Sequence, residues 1–170
     1  MPITQPPPAA DRVIGIADMA VSDTGADRLV TYALGSCLGV CVHDPVAGVG
    51  GMLHVMLPSS DIDPQKAQRN PCMFVDTGVP ELFRAAYRAG AQKERLVVKV
   101  VGGAASGEGD QPDNFQVGKR NVLTLKKLLW KNGVILRAED VGGQRVSRTV
   151  FLQVGTGEVL VKANGREATL

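Results

Sequence analysis

Two short apolar runs, residues 38–42 and 52–57, stand close together near the start of the chain, and they constrain what it can fold into. Each is shorter than an ordinary helix. The first is continuously apolar, so it reads as a strand covered on both faces; the second reads as another short apolar strand, ended by Pro58. Between them lie Asp44-Pro45 and the glycines 48, 50 and 51, which read as a loop. A further strand, residues 29–34, delivers the chain to Gly35-Ser36-Cys37. Cys37 and His54 therefore lie at or near strands that follow each other closely, on a β-rich frame.

The remaining segments fit that frame. Pro2, Pro6, Pro7 and Pro8 make residues 1–11 a disordered tail, leaving 12–170 as a single domain. Residues 12–21 read as a strand and 59–71 as an exposed polar loop near the turn. Thr77 offers an N-cap ahead of Pro80. Leu82, Phe83, Ala86 and Tyr87 then share a helical face, and Gly90 is placed to end the helix. Residues 96–101 form a strand. Residues 102–118 hold five glycines but no GxxxxGK[ST] pattern, so they read as a surface loop rather than a phosphate cradle. A second helix spans 121–132 and stops at Gly133. A strand at 134–136 follows, then a hairpin of 150–154 and 159–162. Runs of strands broken by two helices indicate an α+β fold rather than a regular βαβ order.

Composition narrows the function classes. A net charge of +2, with no Lys/Arg cluster interleaved with aromatics, argues against nucleic acid as a partner. No apolar stretch approaches the roughly 18 residues of a span and no basic-then-apolar leader is visible, so a soluble protein without membrane insertion is expected. Cysteines at 37, 41 and 72 make neither a disulfide framework nor a CxxC site. The expectation is a reducing, cytoplasmic setting with no metal and no cofactor.

Cys37 is the candidate nucleophile. Glycines on either side let the backbone turn sharply and bring the thiol close to a ligand. Backbone N–H groups around Ser36, Cys37 and Leu38 could hold an oxyanion, and an imidazole could activate the sulfur. Only His43 and His54 are available. His43 precedes the Asp44-Pro45 turn, whereas His54 lies among Met52, Leu53, Val55 and Met56. Burial in that company keeps a ring neutral and basic, which favours His54. Cys41 and Cys72 read as packing residues.

Leu34-Gly-Ser-Cys37, Val42-His-Asp44 and Gly50-Gly-Met-Leu-His54-Val-Met-Leu-Pro58 together resemble the chemoreceptor glutamine deamidase family CheD. The resemblance continues through Val101-Gly-Gly-Ala104, Val117-Gly-Lys-Arg-Asn121 and Asp140-Val-Gly-Gly143, ending in the Val-Gly-Thr-Gly-Glu-Val hairpin at 154–159. It implies a β-sandwich with helices outside, similar to the cysteine deamidase toxins. It implies a protein-glutamine glutaminase that converts glutamine side chains to glutamate on the cytoplasmic domains of methyl-accepting chemotaxis receptors. Cys37 would be its nucleophile, His54 its histidine and Thr31 the residue orienting that histidine. It also implies a CheC-type phosphatase as partner. The alternative is a non-catalytic module that regulates such a phosphatase; the intact set of Thr31, Cys37 and His54 favours the enzyme. One departure is Ser147-Arg148, where relatives carry Gly-Arg; a positive φ at that position would strain the serine.

Overall fold

A computed structural model describes residues 11–107 and 112–170. Ten strands form two five-stranded sheets. The first has the order β1(Asp11–Val13), β3(Arg28–Leu34), β8(Arg148–Gln153), β9(Val159–Ala163) and β10(Arg166–Thr169). The second has the order β2(Asp18–Ser22), β5(Val49–Val55), β4(Leu38–Asp44), β6(Val97–Gly102) and β7(Leu136–Val141). Helices α2(Val75–Arg88) and α3(Val117–Lys131) pack on the second sheet, and the short α1(Pro64–Arg69) precedes α2. The architecture is a mixed α+β sandwich.

The apolar runs at 38–42 and 52–57 become β4 and β5, and every residue of both strands is buried. Alternate side chains serve two cores. Leu38, Val40, Val42, Leu53 and Val55 face Val79, Leu82, Leu125 and Leu129 of the helices. Cys41 and Met52 face Leu29, Val150, Leu152 and Val161 of the first sheet. Burial of each such side chain contributes about 1.5–3 kcal/mol, so β4 and β5 are the most strongly held part of the frame.

Several boundaries differ from the sequence reading, each for a physical reason. Residues 12–21 are two strands in different sheets, because Ala17 at φ 56° turns the chain between β1 and β2. Asp11, expected at the end of the tail, already pairs with Arg28; residues 1–10 lie outside the described residues, as does part of the glycine-rich loop. The glycines expected in a loop at 50 and 51 sit inside β5. At Gly50 the facing layer comes close, with Val154 Cα 3.4 Å and Val154 Cγ2 3.3 Å from where a Cβ would be, so a side chain there would fit only tightly. The polar segment 59–71 is helical in part, since Asp63 caps α1 by accepting from the Lys66 N–H and Pro64 occupies its first position. Thr77 lies inside α2 rather than capping it: the cap position is Phe74, and the N–H groups of Val75 and Asp76 bond the carbonyls of Leu57 and Pro58. The Thr77 hydroxyl instead donates to Pro71 O, and Pro80 falls in the helix interior. Helix α3 begins at Val117, four residues earlier than the periodicity indicates, and β7 runs on to Val141. β10 follows an Asn164-Gly165 turn with both φ values positive, a hairpin signal left unread.

Candidate active site

The chain reaches Cys37 through a distortion. β3 pairs regularly with β8 up to Thr31, then slips register before Leu34, and Ala33 adopts φ 57°. A bulge of this kind re-aims a strand, and a non-glycine residue in the left-handed region stores about 1–2 kcal/mol. Here it swings the chain out of the first sheet, through Gly35-Ser36-Cys37, and into β4 of the second. All three carbonyls of that turn are taken. Gly35 O accepts from the Ala104 N–H at 2.9 Å, Ser36 O from the Asn121 side-chain amide at 3.0 Å, and Cys37 O from the Gly103 N–H at 3.0 Å. Gly102, at φ 118°, passes so near that any side chain there would collide with the Cys37 carbonyl.

His54 sits on β5 directly opposite Gly39 of β4, on the face that looks into the gap between the sheets. Cys37 packs against the same inter-sheet core and stands two residues before Gly39. The register that pairs Gly39 with His54, extended back past the start of β4 at Leu38, brings Cys37 to the His54 end of β5. Thr31, on the facing sheet, completes the group with its Oγ1 2.7 Å from His54 Nδ1. Gly39 makes that approach feasible, since a Cβ there would lie 2.9 Å from Leu34 Cδ1 and 3.0 Å from Val150 Cγ1.

The hydroxyl has one proton, and it fixes the histidine tautomer. Thr31 Oγ1 lies 2.7 Å from the Ile14 carbonyl, which can only accept, so the hydroxyl donates there. Towards His54 it must then accept, which places the ring proton on Nδ1 and leaves a lone pair on Nε2. That Nε2 is buried without a hydrogen-bond partner. Burial also pushes the His54 pKa below its usual value, so the ring remains neutral and basic. The Cys37 thiol is raised by burial and partly lowered by its own backbone N–H, so the resting pair is thiol and imidazole rather than an ion pair.

The other thiols differ. Cys41 is buried and pushed up to about 12 by desolvation, and Cys72 is buried and raised as well. Cys37 alone among the three is partly exposed. His43 points into the same gap but donates its Nε2–H to Val154 O at 2.9 Å. Leu38 is the first residue of β4, paired with Val55 and Gly102, so Ser36 and Cys37 carry the N–H groups outside the ladder. Ser147 is not among the described residues with positive φ; the nearest before it in the chain are Gly142, Gly143 and Arg145. Among the described residues no three His, Cys, Asp or Glu side chains form a metal-ligand cluster, and no helix is long and apolar enough to cross a membrane.

Asn121 is the site residue that sequence reasoning missed, having noted it only within the motif opening the second helix. The signal was a polar residue on the inward face of α3, one turn before Leu125.

Comparison with known proteins identifies the family. The family model described as CheD chemotactic sensory transduction matches residues 56–163, beginning just past His54. Longer matches take in the site itself. A "probable chemoreceptor glutamine deamidase CheD 1" of Syntrophus aciditrophicus is 47% identical over 155 residues, covering 91% of this chain and 95% of its own. A "probable chemoreceptor glutamine deamidase CheD" of Solibacter usitatus is 46% identical, covering 93% and 92%. One of Pyrococcus abyssi is 41% identical, covering 88% and 89%. With a family match over more than half its length and relatives of this similarity along nearly all of it, the chain belongs to the CheD family.

Proposed function

We propose that this protein deamidates glutamine side chains on the cytoplasmic domains of chemoreceptors, using Cys37 as nucleophile, His54 as acid and base, and Thr31 to orient His54. The observation that carries the reading is the buried, unpartnered Nε2 of His54, its lone pair fixed by Thr31 on the face that Cys37 shares. Buried polar atoms are nearly always satisfied, and an exception beside a thiol marks a proton acceptor awaiting its donor.

Nε2 takes the thiol proton as sulfur attacks the carboxamide carbon. A carbon–sulfur bond forms and the carbonyl electron pair moves to oxygen. The N–H groups of Ser36 and Cys37, with Leu38 at the start of the ladder, supply the oxyanion donors, each worth about 3–4 kcal/mol in well-studied hydrolases. Collapse breaks the carbon–nitrogen bond, and the imidazolium returns its proton to the leaving ammonia. Neutral His54 then removes a proton from water as it adds to the thioester. The carbon–sulfur bond breaks, glutamate forms and the thiol is regenerated. No step requires a metal or cofactor.

The proposal extends to context: a cytoplasmic protein, a fold related to the cysteine deamidase toxins, and a CheC-type phosphatase that binds over the Cys37 turn. The test is mass spectrometry of purified receptor cytoplasmic domains incubated with the protein, which should show amide-to-acid conversion at glutamines. Cys37→Ala should abolish it with the fold intact. Conversion at the wild-type rate in that variant would remove Cys37 from its role.

A further inference from the structure

Among the described residues, two buried side-chain polar atoms lack a partner: His54 Nε2 and Asn121 Oδ1. The first belongs to the reaction already described. The second belongs to a side chain the reaction does not use, on α3, fully buried and tied to the same turn. Its amide nitrogen donates both protons, one to Ser36 O at 3.0 Å and one to Met56 O at 2.9 Å. The assignment of oxygen and nitrogen is fixed by these contacts, since an oxygen in that position would face two carbonyl oxygens. Asn121 thus clips together the residue before Cys37 and the residue two beyond His54.

We infer that Asn121 is a positioning residue that aims the Cys37 N–H at the oxyanion. A trans peptide is planar, with its C=O and N–H pointing in opposite directions. Holding Ser36 O against α3 therefore turns the Cys37 N–H away from the helix. That N–H belongs to the nucleophilic residue itself. The oxyanion forms on the substrate carbon that bonds Sγ, within reach of that N–H. The carbonyls on either side, Gly35 O and Cys37 O, are held by backbone N–H groups that no substitution removes. The Ser36–Cys37 peptide is the one whose direction depends on a side chain. Gly118 lets that side chain come close: the first turn of α3 lies directly on residues 103 and 104, and a Cβ at 118 would collide with Ala104 O.

This inference rests on Cys37 as nucleophile, and one pair of measurements separates the two. Deamidation passes through an oxyanion, whereas alkylation of the thiol by iodoacetamide is a displacement at carbon that forms none. In Asn121→Ala, kcat for deamidation should fall by about 10²-fold, with KM little changed. The rate and pH dependence of Cys37 alkylation should stay near wild type. Asn121→Leu keeps a similar volume without donors or charge, and serves if the alanine variant fails to fold; it should show the same split. Deamidation within a few-fold of wild type in a folded variant would overturn the inference. So would alkylation falling in parallel, which would mean the clip merely holds the turn together. Cys37→Ala distinguishes the underlying reading: if it stays active while the Asn121 variants are also active, the nucleophile itself is misassigned.

Discussion

The two histidines lie on adjacent strands of one sheet, both buried and both bonded across the gap to the other sheet, yet they are set up oppositely. His43 Nε2–H donates to the Val154 carbonyl, so its proton is on the far nitrogen and that nitrogen is occupied. His54 is held at Nδ1 by a hydroxyl whose own proton is committed to Ile14 O, so its far nitrogen keeps a free lone pair. Where His43 packs, a side chain on Gly157 would collide with the ring; opposite His54, a side chain on Gly39 would instead crowd Leu34 and Val150 of the facing layer. One ring fastens a hairpin and the other keeps an unpartnered nitrogen. Burial is the same for both; what differs is which nitrogen the facing sheet consumes.

Replacing His54 should break the comparison most severely. His54→Ala should cost about 10²–10⁴-fold in deamidation, the range for a positioned acid–base group, read as the initial rate on receptor domains. Retention of the wild-type rate would show that the free lone pair has no role. Thr31→Val removes the oxygen that fixes the tautomer. A hydrogen bond worth about 1 kcal/mol corresponds to roughly a five- to tenfold loss, seen in kcat more than KM. Sequence reading took the Thr31 role from family resemblance alone, because no spacing rule shows that two residues 23 positions apart meet across a sheet gap.

The pH profile sharpens the contrast further. His54 has a lowered pKa, so its neutral, proton-accepting form persists as pH falls below the usual imidazole value of about 6.5. The acid limb of kcat/KM should therefore lie below that value, with activity lost only as pH drops through the shifted pKa. A limb above it would show that burial does not hold the His54 ring neutral. Smallest on the rate is His43→Ala, which should leave deamidation near wild type. It should destabilise the fold by about 1–3 kcal/mol by leaving Val154 O unpaired, measured by urea unfolding. A large loss of rate without loss of stability would make the two rings equivalent after all.

Much of the frame was legible because β4 and β5 are driven by burial, and burial leaves continuous apolar runs in a sequence. The turn at Cys37 was legible through its glycines. What escaped depends on long-range partners. Residues 12–21 carry one apolar pattern, and only pairing with β3 on one side and β5 on the other divides it between sheets. Gly50 reads as a loop residue until Val154 is seen against it. The preference for His54 over His43 rested on a signal the sequence only half contains: apolar neighbours suggest burial, but both rings are buried, and they differ in their partners.

Thr31 and His54 are also joined in a way that makes the bond between them a measuring device. One sits on each layer, so the 2.7 Å contact spans the sandwich and registers its thickness. Strand pairing within either layer can survive a small dilation that this contact cannot. Mild denaturant, or a void cut at Met52 or Val150, would loosen the base before the protein unfolds. The chemistry then acts as a gauge for how tightly the two layers are pressed together.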